Sequence, residues 1–146
     1  MTIIVQQAPF DAAHLLSDFA KNSDAGAQVT FTGIVRADGG LQALEIEHYP
    51  AMTEKALTQI ADEAKARWEL VDCLIIHRFG KLTVGEHIMM VATASKHRAH
   101  AFEAAEFLMD YLKSRAPFWK KEHHDTTERW VEAKSSDEAA LDRWAD

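Results

Sequence analysis

The stretch "KSRAPFWKKE", residues 113–122, gathers Lys113, Arg115, Lys120 and Lys121 around Pro117, Phe118 and Trp119. The chain around it is acidic, with a formal net charge of −7 over 146 residues. Cations beside aromatic rings in such a chain form either a solvated basic face or a pocket for an anion. Strand alternation past Pro117 puts Phe118, Lys120 and Glu122 on one face and Trp119 and Lys121 on the other. Only one of the adjacent lysines then enters a given pocket. Lys120 is the candidate, because Glu122 stands beside it to orient its ammonium or exchange a proton. The bland alternative is a surface ion pair, which contributes little.

A second cationic group lies at "SKHR", residues 95–98. Ser95 is a good N-cap for a helix over about 96–115. His97 and Arg98 then sit in its first turn, where unpaired N–H groups and the positive dipole end favour an anion. Cations there are locally unfavourable unless an anion compensates, although they can also simply point into water. Lys113 and Arg115 fall in the last turn, where they complement the dipole, so a structural role accounts for either one alone. Arg36 ends a strand just before "ADGG", a common ligand position and equally a plain surface arginine.

Two further groups are weighed and set aside. His97 and His100 at i, i+3, and the adjacent His123 and His124, have spacings that could ligate a metal. No carboxylate or cysteine set completes a site, so no metal is expected. Cys73 alternates in step with Ile75 and His77 and reads as a buried, inert thiol.

These residues need elements to position them. Residues 2–7 read as a strand and about 10–21 as a helix opened by Pro9 with Leu15, Leu16 and Phe19 on one side. Residues 26–36 and 41–49 alternate and suggest a hairpin around "ADGG". From Pro50 to Trp68 the pattern is helical, with Met52, Ala56, Ile60 and Ala64 in one row and Leu57 beside them. Residues 71–79 and 86–94 read as strands joined by a Gly80–Gly85 connection. The helix after Ser95 carries a stripe of Phe102, Ala105, Met109 and Leu112, and Pro117 stops it. Two short strands, 118–124 and 128–134, and a terminal helix over 136–144 complete the chain. The expectation is an α+β fold, a mostly antiparallel sheet with helices packed on it, in a single domain over 1–146.

Composition narrows the function classes. The apolar fraction of 47% fits a globular core, and no apolar run approaches the roughly 18 residues of a membrane span. The N-terminus has neither a basic region nor a small-residue cleavage site, so no signal peptide is expected. One cysteine excludes an internal disulfide, and a cytoplasmic location is the default. Net acidity argues against general nucleic-acid binding. Local cations inside an acidic chain point to a small anionic ligand or one defined partner.

Five segments in order, "TFTGIVR", "EHYPAMTEKAL", "IIHRFGKLTVGE", "SKHRAHAFEAAEFLMDYLKSRAPFWKKE" and "RWVEA", resemble the large, catalytic subunit of molybdopterin synthase. The resemblance runs from about residue 27 to 134. It implies conversion of cyclic pyranopterin monophosphate to molybdopterin by installing a dithiolene. Both sulfurs would arrive as thiocarboxylate on the C-terminal Gly-Gly of a small ubiquitin-like partner subunit, with no cofactor. The resemblance assigns catalysis to Lys113 and Lys120, and substrate binding to Arg36, His97, Arg98, Lys120, Lys121 and Glu122. The family often has arginine at positions 121 and 134. Lys121 and Lys134 keep the charge but not the bidentate geometry.

The resemblance also implies assembly. Residues 97 and 113 lie about 24 Å apart along one helix, at a rise of about 1.5 Å per residue. A tricyclic pterin is only on the order of 10 Å long. A homodimer resolves this: His97 and Arg98 of one subunit complete a pocket built on Arg36, Lys113 and Lys120 of the other. With two small subunits the assembly is a heterotetramer. A phosphoester hydrolase and a non-enzymatic binding module for a ubiquitin-like tail are the rival readings. The first lacks a metal or nucleophile constellation, and the second leaves His97 and Arg98 unexplained.

Overall fold

Continuous apolar runs and alternating ones stand side by side in this chain, and they mark two different sheets. The computed structural model describes residues 1–131 and 134–145. One sheet holds β1 (Thr2–Gln6), β4 (Asp72–Arg78), β6 (His87–Ser95) and β2 (Ala27–Ile34), in the order β1-β4-β6-β2. Its β1–β4 pair is parallel and its other pairs are antiparallel. The other sheet holds β5 (Gly80–Thr83), β3 (Ala43–His48), β7 (Phe118–His123) and β8 (Glu128–Trp130), in the order β5-β3-β7-β8, all antiparallel. The helices are α1 (Ala12–Asp18), α2 (Pro50–Trp68), α3 (Arg98–Ser114) and α4 (Ser135–Ala140), the last followed by a 3-10 turn over Leu141–Trp144. The α+β architecture with mostly antiparallel pairing is as expected, but it is built on two sheets.

Both faces of the first sheet are covered, which is why β4 and β6 read as apolar runs. Cys73, Ile75, Met89 and Val91 face α2 and α3 and share a core with Leu57, Trp68 and Phe107. Leu74, Ile76, Met90 and Ala92 face the other way, onto Leu15, Leu16 and Phe19 of the α1 region. The second sheet has its own core of Val35, Leu44, Ile46 and Leu82.

Several expectations are corrected. Residues 26–49 are not a hairpin, because β2 pairs with β6 while β3 pairs with β5 and β7. The nine-residue β6 offers β2 a longer ladder than the six-residue β3 does. The connection after Val35 carries the chain from one sheet to the other, and Val35 is tied instead to Glu86 and Gly85 through backbone bonds. The Gly80–Gly85 connection itself contains β5, and Gly80 makes the bend with φ +90°, a conformation that suits glycine.

Ser95 is not a cap: it is the last residue of β6, paired with Ala27 and 2% exposed. The cap position of α3 is His97, whose side chain makes no capping bond. Helix α1 starts later than Pro9, at Ala12, with Asp11 accepting the His14 amide. On α2 the buried row includes Thr53, Leu57, Ile60, Ala61, Ala64 and Trp68, leaving Met52 exposed. On α3 the small residues Ala101, Ala104 and Ala105 face the sheet and Phe102 is outside, which lets helix and sheet approach closely. The terminal helix divides into α4 and the 3-10 turn. The last short strand is β8, and residues 132–133 of that expectation and of "RWVEA" lie outside the described residues.

Two titratable groups are locked in these cores. Burial pushes the Cys73 thiol up to about 12, so almost no thiolate exists near neutrality. Native protein should therefore resist a disulfide-exchange thiol reagent at pH 8 and react at once after unfolding. Rapid labelling of folded protein would contradict the burial.

His77 is 4% exposed and its Nδ1–H donates to the Arg78 carbonyl at 2.7 Å. Burial pushes it down to about 4 from an ordinary 6.5, with Lys120, His48 and Lys113 adding like charge. The unfolded chain therefore takes up this proton first. Stability should be intact above about pH 6.5 and fall as pH drops towards 4. The loss from this residue is on the order of 3 kcal/mol. Denaturation curves across that window should be less pH-dependent in His77→Gln. An unchanged pH dependence would remove His77 as the cause.

Candidate active site

Lys120 rises from an apolar floor. On β7 it is paired with Ile46 of β3, and its neighbours on the same face are Phe118 and Glu122. Phe118 packs against both cores, so the lysine stem emerges where the two sheets meet. Burial pushes the ammonium down to about 8 from 10.5; Lys113 and Lys134 push the same way, and Asp137 opposes them. The Lys120 side chain is half-buried, whereas Lys113 on the last turn of α3 is exposed. The two lysines flank the turn at Pro117, close enough for the charge of Lys113 to act on Lys120.

The wall of this pocket is aromatic. His77 stacks on Phe118, with ring centroids 3.8 Å apart and planes 13° from parallel. His48 stands 4.7 Å from Phe79 and 5.9 Å from Phe118. The Thr53 hydroxyl donates to the Tyr49 carbonyl at 2.8 Å, so at 3.0 Å the His48 Nδ1–H must be the donor to Thr53 Oγ1. Burial lowers the His48 pKa as well. Both imidazoles are thus kept neutral beside the lysines, and the pocket holds its cations on the lysine side.

The other expected residues divide. Lys121 lies on the opposite face, as alternation requires, with Nζ 3.8 Å from Glu128 and 4.7 Å from the Trp130 ring centre. Glu122 shares the face of Lys120, but its carboxylate accepts from His124 at 3.2 Å and Arg129 at 3.0 Å. Those bonds, His124 first, lower its pKa. It is therefore held away from the orienting role expected for it beside Lys120. Arg36 is exposed on the β2–β3 connection and paired with Asp38 at 2.6 Å.

His97 and Arg98 are exposed at the start of α3. A cleft of about 290 Å³ opens there, lined by Glu69, Ser95, Lys96, His97 and His100. Because α3 is continuous from Arg98 to Ser114, this group remains a helix length of about 24 Å from Lys113. One chain does not bring the two cationic groups together. A larger open concavity of about 670 Å³ lies on α2 around Glu54, Lys55 and Asp62. Its lining carries a single cation and no aromatic ring, unlike the surroundings of Lys120.

Sequence reasoning missed His77, His48 and Asp137. The signal for His77 was present. Its alternation with Cys73 and Ile75 placed it in the core, where a histidine needs a polar partner and a neutral ring.

The family model "MoaE protein" matches residues 5–115. The molybdopterin synthase catalytic subunit of Cereibacter sphaeroides is 60% identical, over 99% of this chain and all of that protein. The solved molybdopterin biosynthesis MoaE protein of Burkholderia ambifaria superposes with a TM-score of 0.85 at 49% identity, covering 98% of this chain and 97% of that one. Molybdopterin synthase of Staphylococcus aureus superposes with a TM-score of 0.82 at 32% identity, covering 88% and 96%. With full-length likeness in sequence and in fold, this chain belongs to the MoaE family of molybdopterin synthase catalytic subunits.

Proposed function

We propose that this chain converts cyclic pyranopterin monophosphate to molybdopterin, taking sulfur from the thiocarboxylated C-terminal Gly-Gly of a small ubiquitin-like partner subunit. The observation that carries the reading is the Lys113–Lys120 pair beside an aromatic wall, with Lys120 held down to about 8. A thiocarboxylate and a phosphate ester are both anions, and both suit cations in a partly dry pocket. The thiocarboxylate sulfur is the nucleophile. Lys113 contacts the carbonyl group at the end of the tail, and Lys120 stabilises charge or passes a proton during sulfur addition. Sulfur arrives on the partner, so the reaction needs no resident cofactor and no thiol of this chain, consistent with the buried Cys73. Among the described residues no helix is long and apolar enough to cross a membrane. We place the enzyme in the cytoplasm, where its single thiol stays reduced.

The site is completed in trans. His97 and Arg98 of a second copy reach the pocket that α3 keeps out of their own reach, and with Arg36 they hold pterin or phosphate. The start of α3 is flanked by apolar surface suited to a two-fold interface: Phe102 is 61% exposed, and the edge strand β2 leaves Phe31 and Ile34 outside. Two such sites, each taking one tail, make a heterotetramer.

Product formation from thiocarboxylated partner and cyclic pterin tests the roles. Lys113→Ala and Lys120→Ala should each lose most turnover, while Lys121→Ala and Cys73→Ala retain it. Near-normal turnover in both of the first two would remove them from the mechanism. Anion capture needs the ammonium form, so kcat/KM should fall as pH rises through about 8. A depressed lysine pKa also lowers stability below the unfolded value of 10.5, progressively down to about 8. Lys120→Met should therefore melt higher than wild type at pH 7 while being inactive.

Co-expression tests the shared site. Chains carrying Lys113→Ala and His97→Ala separately should form mixed dimers with one intact site and partial turnover. Mixed dimers no more active than the two parents would sink the trans arrangement.

A further inference from the structure

Sulfur delivery on a tail leaves one step for which the two lysines are the wrong groups. A thiocarboxylate sulfur that bonds to a pterin carbon is still acylated by the partner's tail. Each transfer therefore yields a thioester between tail and pterin, and that bond must be cut before the sulfur is free. Cys73 is buried and cannot take the acyl group, and a lysine that took it would form a stable amide. Water is the acceptor that regenerates a free tail, and its attack is helped by a neutral base.

His48 has the attributes of that base. It ends β3 opposite Phe118 of β7, and Lys120 is its diagonal neighbour on the same face. Such positions lie about 7–8 Å apart, which leaves room for a water and an acyl group between the two side chains. The His48 ring rests against Phe79 and Phe118, at 4.7 and 5.9 Å. Thr53 is 0% exposed, and its hydroxyl donates to the Tyr49 carbonyl and accepts from His48 Nδ1 at 3.0 Å. This fixes the tautomer, with the lone pair on Nε2. Among the described residues Nε2 has no hydrogen-bond partner, and it is open to solvent: the one buried side-chain polar atom left unpaired there is Ser114 Oγ. Burial lowers the His48 pKa and so keeps the ring in its basic form.

Nearby groups are less suited. His77 is 4% exposed and stacked on Phe118, and the Glu122 carboxylate is held by His124 and Arg129. Lys113 and Lys120 are cations, suited to the negative charge that forms on the acyl oxygen.

We propose that His48 is a further catalytic residue, the general base that draws a proton from the water that releases the partner's tail. The water oxygen bonds to the acyl carbon while one of its protons passes to His48 Nε2. The carbon–sulfur bond of the tetrahedral adduct then breaks. Sulfur is left on the pterin as a thiolate, and the tail leaves as a carboxylic acid that ionises to solvent. His48 returns its proton to solvent through the same open nitrogen, and nothing is oxidised or reduced. This rests on the reading of the chain as the sulfur-transferring subunit. The ordinary alternative is that His48 only packs beside Phe118 and braces the first turn of α2 through Thr53. That role would move the melting temperature without stalling the reaction at the thioester.

The test is a reaction with thiocarboxylated partner and cyclic pterin, quenched in acid and read by intact mass spectrometry and dithiolene yield. His48→Asn keeps a side-chain N–H for Thr53 and lacks the base at Nε2. It should melt close to wild type, form product about a hundredfold more slowly and accumulate partner joined to pterin through sulfur. Imidazole added to His48→Ala, at a concentration that leaves the denatured adduct intact, should clear the adduct and restore product. A His48→Asn protein that turns over like wild type, or that loses product without building up adduct, overturns the proposal. So does an adduct on folded His48→Ala that imidazole leaves uncut. Absence of dithiolene from the wild-type reaction would instead overturn the sulfur-transfer reading itself.

Discussion

The buried guanidinium of Arg78 joins the two sheets. It is 5% exposed, at the end of β4 where the chain leaves one sheet for the other. Its Nε and Nη2 donate to the Gln7 carbonyl at 3.2 and 3.1 Å, and its Nη1 donates to Glu86 and to the His87 carbonyl, both at 3.2 Å. Glu86 is fixed in turn by the Thr83 amide and hydroxyl, a bond set that lowers its pKa. One side chain thus ties the segment after β1, the turn after β5 and the start of β6. A buried charge is tolerated only with such a set of partners, and lysine has neither the fork nor the donor count to replace it. The pocket depends on this joint. The carbonyl of Arg78 orients His77, His77 stacks on Phe118, and Phe118 begins the strand that presents Lys120.

The same arrangement sets the chemistry against stability. Lys120 is placed where its charge is poorly solvated and where Lys113 and Lys134 repel it. Such a site costs folding free energy in the empty enzyme and recovers it when an anion binds, which makes the attraction specific to the occupied state. Neutral His77 and His48 are part of that balance, because a protonated ring in either position would add a further buried cation. The overall charge of −7 is no obstacle. Most of the acidic groups are spread over the surface, where solvent and salt screen them, while the lysine pair acts at short range.

Much of this was legible where local rules and packing agree. Alternation past Pro117 separates Lys120 from Lys121, and the structure places them on opposite faces. The parity that buries Cys73 also holds. The failures came where a distant partner decided. "ADGG" looks like a hairpin turn, but the long apolar β6 takes β2 and leaves β3 to the second sheet. Ser95 has the chemistry of a cap, yet the ladder to Ala27 claims its backbone. Phe102 belongs to an apolar row by spacing, but alanines allow the helix to lie closer to the sheet on its other flank. Of the site, the two lysines were readable from type and position. The histidine wall was not, because it comes beside Lys120 only through the folding of β3 and β4.

Helix α3 imposes the last constraint. Its seventeen residues, Arg98–Ser114, form one unbroken helix, held to the sheet by contacts such as the Thr93 hydroxyl donating to the Ala101 carbonyl at 2.7 Å. A rigid rod of that length cannot fold its two cationic ends onto a single substrate. If both ends act on one pterin, the missing contacts must come from another copy, and the symmetry of that arrangement makes every pocket equivalent. The exposed apolar residues fit this requirement. Phe102 stands one turn past Arg98, and Phe31 and Ile34 lie on the strand that ends near Arg36. A face that buries these side chains would also bring arginines and His97 to a subunit boundary, where binding of substrate and association of the copies favour each other.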